Sequence, residues 1–170
     1  AHAPAIRDVF LEKMKQSGNR LKILDMIAET IAFLQEACPE VKTVGVLSTI
    51  GTWKAGFYPE LLSAAGYEVR TLNEAQQQYL HDYALFNHEY GIKVQAHPVT
   101  EEARKVLLEG VEILVKQGVQ VIILGCTEIP LGLPERKIGE TFFLDPGLIL
   151  ARALIREFCP KKLLPWTWEI

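Results

Sequence analysis

Cysteine is scarce in this 170-residue chain, with only Cys38, Cys126 and Cys159 present. Three scattered thiols without a CxxC pair exclude a disulfide framework and a cysteine zinc site. A reducing, cytoplasmic setting is the simpler expectation. Long apolar runs are also lacking. None approaches the ~20 residues that a membrane helix requires, and no secretory leader is expected. Runs of Lys and Arg never exceed two residues, and the formal net charge is −3 with a pI near 5.8. A nucleic-acid partner therefore has no electrostatic support. Low-complexity tracts, internal repeats and flexible linkers are absent as well.

The remainder is an ordinary globular balance, 49% hydrophobic and 23% charged, long enough for one good core or two small lobes. Apolar periodicity gives helical stripes at Ile6, Val9, Phe10 and Met14, and at Ile23, Leu24, Ile27, Ile31 and Leu34. The runs TVGVLST (43–49) and VQVIILG (119–125) read as buried strands, with a third strand at Tyr67–Thr71. Between them lie a helix over 54–65, a helix opened by an Asn73/Gln76 capping box with Ala75, Tyr79 and Tyr83 facing inward, and a helix capped by Thr100. The last of these carries Ala103, Val106, Leu107, Val111 and Leu114 on its apolar face. Asp145-Pro146 opens a final helix. Alternating strands and helices predict an α/β fold with a parallel sheet. The flanking segments, two helices before and one after, carry no predicted strand, and their apolar faces need a partner.

In such a sheet, ligands bind beyond the carboxyl ends of the strands. Two of these ends are rich in polar groups: Ser48-Thr49-Ile50-Gly51-Thr52 and Gly125-Cys126-Thr127-Glu128. A helix starting at Thr127 or Glu128 would lower the Cys126 pKa and offer N–H groups to a carboxylate or oxyanion. The plainer alternative is a buried, inert cysteine. Thr49 and Thr52 suit a substrate carboxylate or, equally simply, a helix cap. Glu128 can orient Thr127 or receive an ammonium group, or be only a first-turn acid. Lys93 can pair with an acidic substrate or be an exposed lysine. His81 reads as a surface residue, and His88 and His97 have no partner at metal-ligand spacing, so no metal site is expected. Cys38-Pro39 and Cys159-Pro160 read as structural helix ends. The tail with Trp166 and Trp168 folds back on the core or docks on a partner.

Three stretches resemble the aspartate/glutamate racemase superfamily, and its aspartate racemase-like branch in particular. They are GVLSTIGTWKAGFYPELL (45–62), GIKVQAHPVTEEAR (91–104) and VIILGCTEIPL (121–131). The resemblance spans about 22 to 158, and glutamate racemases usually carry His where Glu128 stands. It implies a Rossmann-like, parallel-sheet lobe of a two-lobe, pseudo-symmetric fold, with flanking helices from an incomplete second lobe. The expected division is 1–40 and 141–170 with the N-terminal lobe and 41–140 as the complete lobe.

It also implies an amino-acid racemase without a cofactor, in which two cysteines serve opposite faces of the substrate α-carbon. Cys126 is then the catalytic thiol, with Thr49, Thr52, Thr127, Glu128 and Lys93 as substrate contacts. The family's first cysteine sits in a CNTAH motif, of which only Ala1-His2 is left here. An upstream segment of the same protein is therefore expected to carry that thiol, and that segment or a homodimer is expected to cover the flanking helices. The rival readings are a maleate isomerase, a hydantoin racemase, or an inactive binding remnant.

Overall fold

Apolar runs become the centre of one sheet. The computed structural model describes residues 4–18 and 22–168. Among them, β1 (Thr43–Leu47), β2 (Glu68–Thr71), β3 (Val121–Leu124), β4 (Lys137–Ile138) and β5 (Thr141–Leu144) pair in the order β2-β1-β3-β5-β4. The pairings of β1 with β2, β1 with β3, and β3 with β5 are parallel, and only the edge strand β4 runs antiparallel. Val44, Val46 and Leu47 of β1 are buried, as is all of β3, because helices cover both faces.

On one face lie α2 (Met26–Ala37), α4 (Phe57–Ala64) and α8 (Pro146–Phe158). Their core holds Ile27, Leu34, Tyr58, Leu62 and Ile149 against Val44, Val46, Val121 and Ile123. On the other face lie α5 (Glu74–Tyr79), a π-helical turn (Leu80–Leu85), α6 (Glu101–Lys116) and the single turn α7 (Ile129–Gly132). There Leu80, Leu85, Leu107 and Leu114 pack on Leu47, Ile122 and Leu124. The predicted caps are present: the Asn73/Gln76 box, Thr100 before α6, and Asp145 with Pro146 at the start of α8.

Four expectations change. The helix expected over 54–65 is two, α3 (Ile50–Ala55) and α4, because Gly56 adopts a left-handed φ of 69° between them. Ala75, Tyr79 and Tyr83 are exposed, whereas Gln77, Leu80, Ala84 and Leu85 are buried. The π turn after Tyr79 rotates the buried face away from a regular helical repeat. The segment after 125 does contain strands, since β5 joins the sheet beside β3. Finally, α2 and α8 are not orphans: they cover this sheet, and Arg156 of α8 holds Glu29 of α2 at 2.9 Å. By contrast, α1 (Pro4–Gln16) buries Met14 and leaves Ile6, Val9 and Phe10 open. Trp166 and Trp168 of the tail fold back against the core under α2, α4 and α8.

The loop after the π turn is pinned by backbone bonds. The N–H groups of Ile92 and Lys93 donate to the carbonyls of Ala84 and Leu85 at 2.9 and 3.0 Å. A Cβ on Gly91 would lie 2.5 Å from the Asn87 nitrogen and 2.7 Å from its carbonyl oxygen, so the turn accepts only glycine. Gly91→Ala is expected to cost about 1–3 kcal/mol, read as a lower urea midpoint with an unchanged m-value. An unaltered midpoint would contradict this tight turn.

Candidate functional site

β1, β3 and β5 end side by side, so the loops that follow them meet at one edge of the sheet. They enclose a cavity of about 180 Å³. All six residues singled out in the sequence line it: Thr49 and Thr52 after β1, Cys126, Thr127 and Glu128 after β3, and Lys93 from the loop following the π turn. Met26, Tyr58 and Asp145 complete the wall, and sequence reasoning assigned no role there to any of them. A larger groove of about 650 Å³ runs between α2, α8 and the tail, but no cysteine lines it. Chemistry, not size, selects the smaller cavity.

Local structure explains each placement. Gly125 lets β3 end close to its neighbours, since a Cβ there would meet the Tyr58 ring at 3.1 Å and the Leu47 carbonyl at 3.2 Å. The Gly125 N–H donates to that carbonyl at 2.7 Å, which aims Cys126 out of the sheet edge. Buried Gln77 donates to the Ser48 carbonyl at 2.7 Å, fixing the loop after β1. His81 lies outside the cavity but supports the same loop, because its Nδ1 accepts from the Ile50 N–H at 3.4 Å. His2 falls outside the described residues.

Glu128 gathers the polar groups. Its Oε2 accepts from the Cys126 thiol and the Thr127 hydroxyl, each at 2.9 Å, and its Oε1 pairs with the Lys93 ammonium. Lys93 also lies 5.3 Å from the Phe86 ring centre. Burial opposes the Glu128 charge, but hydrogen bonds from Cys126, Lys93 and Thr127, with the Lys93 charge, outweigh it and hold the carboxyl at about 2. Thr49 is a helix cap: its Oγ1 accepts from the Thr52 N–H at 3.3 Å and donates to Thr52 Oγ1 at 3.1 Å. That leaves the Thr52 hydroxyl proton for a ligand.

The expected activation of Cys126 by a helix N-terminus is corrected. The helix that follows starts only at Ile129 and lasts one turn. Burial and the hydrogen bond to Glu128 instead push the thiol up to about 11. At neutral pH the cavity therefore holds a protonated thiol beside an ionised carboxylate. Cys38 is buried in the core under α2, α4 and α8, and Cys159 is exposed at the end of α8, so neither reaches this site. Among the described residues, no cluster of three or more His, Cys, Asp or Glu side chains suits a metal, and no helix is long and apolar enough to cross a membrane.

Known proteins resemble this chain in sequence and in fold. The chain is 29% identical over 124 residues to a glutamate racemase of Pediococcus pentosaceus, covering 71% of this chain and 43% of that protein. It thus spans less than half the length of such curated relatives. Among solved structures, an aspartate racemase homologue from Pyrococcus horikoshii OT3 superposes with a TM-score of 0.66 at 22% identity, over 87% of this chain and 61% of that one. The Picrophilus torridus aspartate racemase gives a TM-score of 0.60 at 24% identity, over 82% and 54% respectively. At such identities the likeness establishes the shared α/β fold. The model of one family, described as Asp/Glu/Hydantoin racemase, matches residues 8–154. This chain belongs to the Asp/Glu/hydantoin racemase family.

Proposed function

We propose that the protein is a cofactor-independent racemase of an acidic amino acid, aspartate or both aspartate and glutamate, with Cys126 exchanging a proton at the α-carbon. One observation carries this reading: a thiol, an ionised carboxylate, an ammonium and a hydroxyl donor share a cavity of about 180 Å³, sized for a small metabolite. Lys93 and the Thr52 hydroxyl suit the two carboxylates of such a substrate. Family membership supports the reaction class.

Racemisation breaks the C–H bond on one face of the α-carbon and forms a new one on the other. In between, the electron pair spreads into the α-carboxylate, where fixed donors stabilise it. A thiol held near 11 suits the half-reaction in which Cys126 gives its proton to that carbon. The reverse half-reaction requires the thiolate, and positive charge brought in by the substrate ammonium favours it. The opposite face needs a second acid–base group. We assign it to the family's first cysteine, on polypeptide beyond these 170 residues, which would also cover the open face of α1. A maleate isomerase or hydantoin racemase would share the thiol, so substrate assays decide between them.

In the protein that includes the segment carrying the first cysteine, Cys126→Ser is expected to reduce racemisation of aspartate and glutamate by at least ~10²-fold, the usual weight of a general acid–base group. Stability should change by only about 1 kcal/mol, because a serine hydroxyl still reaches Glu128. Chiral chromatography with a thermal melt checks both, and undiminished turnover defeats the proposal. A second outcome concerns the thiol alone. Alkylation of Cys126, followed by peptide mass spectrometry against pH, should show a midpoint near 11. In Glu128→Gln the midpoint should fall, since both the hydrogen bond to the carboxylate and its charge raise the thiol pKa. An upward shift would contradict the assigned contact.

A further inference from the structure

The cavity holds two groups that the reaction described above does not use. Asp145 caps α8, where its Oδ1 accepts from the Gly147 N–H at 2.8 Å. Among the described residues no cation pairs with this carboxylate, although it lines the cavity. Tyr58 lines the same cavity with 1% of its surface exposed, and its hydroxyl is buried without a hydrogen-bond partner. Buried hydroxyls are normally satisfied, so an orphan beside an empty volume points to a ligand atom.

We propose that Asp145 and the Tyr58 hydroxyl form the subsite that receives the α-ammonium group of an amino-acid substrate. The inference rests on the reading of this cavity as the substrate site, and it names the feature by which the site would tell amino acids from dicarboxylates lacking the amine. An ammonium carries three N–H donors and no acceptor. A carboxylate oxygen and a phenolic oxygen give it two acceptors, one of them charged. A substrate carboxylate is excluded from this end by the Asp145 charge, and Lys93 serves carboxylates elsewhere in the cavity. The phenol itself stays neutral, because burial and the charges of Asp145 and Asp25 oppose its ionisation. Cys126 lines the same cavity, so an ammonium bound here would act on the thiol.

The test is calorimetric titration of the chain with aspartate and with succinate, which has the same two carboxylates and no amine. Wild type should bind aspartate at least ~10-fold more tightly, a difference of about 1.4 kcal/mol. Asp145→Asn keeps an oxygen to cap α8, so the fold should persist. It should nevertheless abolish the preference by weakening aspartate binding while leaving succinate unchanged. Tyr58→Phe, which removes one oxygen, should narrow the preference in the same sense. Equal binding of the two ligands by wild type, or of neither, overturns the subsite. So does an Asp145→Asn protein that keeps the preference or loses both ligands alike, the latter being the mark of a merely structural role. The preceding proposal fails separately. An aspartate preference that depends on Asp145, in a protein whose turnover is indifferent to Cys126, sustains the subsite and removes the racemase reading. Turnover dependent on Cys126 with binding indifferent to Asp145 does the reverse.

Discussion

One carboxylate organises the candidate site. Glu128 is partly withdrawn from water, and an ion so placed is tolerable only with compensating partners. It has three: the Cys126 thiol, the Thr127 hydroxyl and the Lys93 ammonium. Two come from its own loop, but Lys93 arrives from a segment 35 residues earlier. The ion pair therefore ties the loop after the π turn to the edge of β3. That loop is itself clamped from behind by Ile92 and Lys93 N–H bonds to Ala84 and Leu85. Backbone bonds set the lysine, the lysine balances the carboxylate, and the carboxylate orients the thiol.

The same carboxylate governs the protonation of the site. Were Glu128 absent, burial alone would still raise the thiol, but less. With it, the resting pair holds its proton on sulfur and its charge on oxygen. The gap between about 11 and about 2 is far too wide for Glu128 to act as a base toward Cys126. Its part is to aim the S–H bond and to set how much positive charge a ligand must bring before sulfur ionises. Lys93 works in the other direction, favouring the thiolate by its charge.

Much of this arrangement was legible from residue types. The strands at 43–47 and 121–124 stand out because burial on both faces demands continuous apolar runs, and Ser48–Thr52 and Gly125–Glu128 follow them directly. Five of the cavity-lining residues, Thr49, Thr52, Cys126, Thr127 and Glu128, could therefore be named beforehand, and Lys93 was legible as a cation able to pair with an acidic substrate. The π turn at Leu80–Leu85 could not be read, since a one-residue change of helical register leaves composition untouched. Nor could β5: four residues, TFFL, are too few for a periodicity. That omission hid Asp145 as well. It was readable as a helix cap, but only the strand ahead of it shows that the cap stands at the same sheet edge as Cys126. Tyr58 was hidden by ambiguity of another kind, because an aromatic residue on an apolar helix face announces packing and not a buried, unpartnered hydroxyl on a residue that lines a cavity. The direction of the Cys126 shift was misjudged because sequence suggests where a helix starts, not how long it runs or which acid reaches the sulfur.

The position of the thiol on the sheet limits what the cavity can do to a substrate. Cys126 rises from a single strand end, and Glu128, Thr127 and Lys93 all converge on the same sulfur or its carboxylate partner. No second cysteine lines the cavity among the described residues. A lone acid–base group can remove a proton from an α-carbon and restore it, but it meets only one face. Inversion requires a group on the far side, or release and turning of the carbanion, which the cavity's fixed donors oppose. On the proposed reading, the described cavity would therefore serve one proton transfer with defined stereochemistry. Under the proposed racemisation, completing the inversion would depend on a second group across the cavity, held where the sulfur of Cys126 cannot reach.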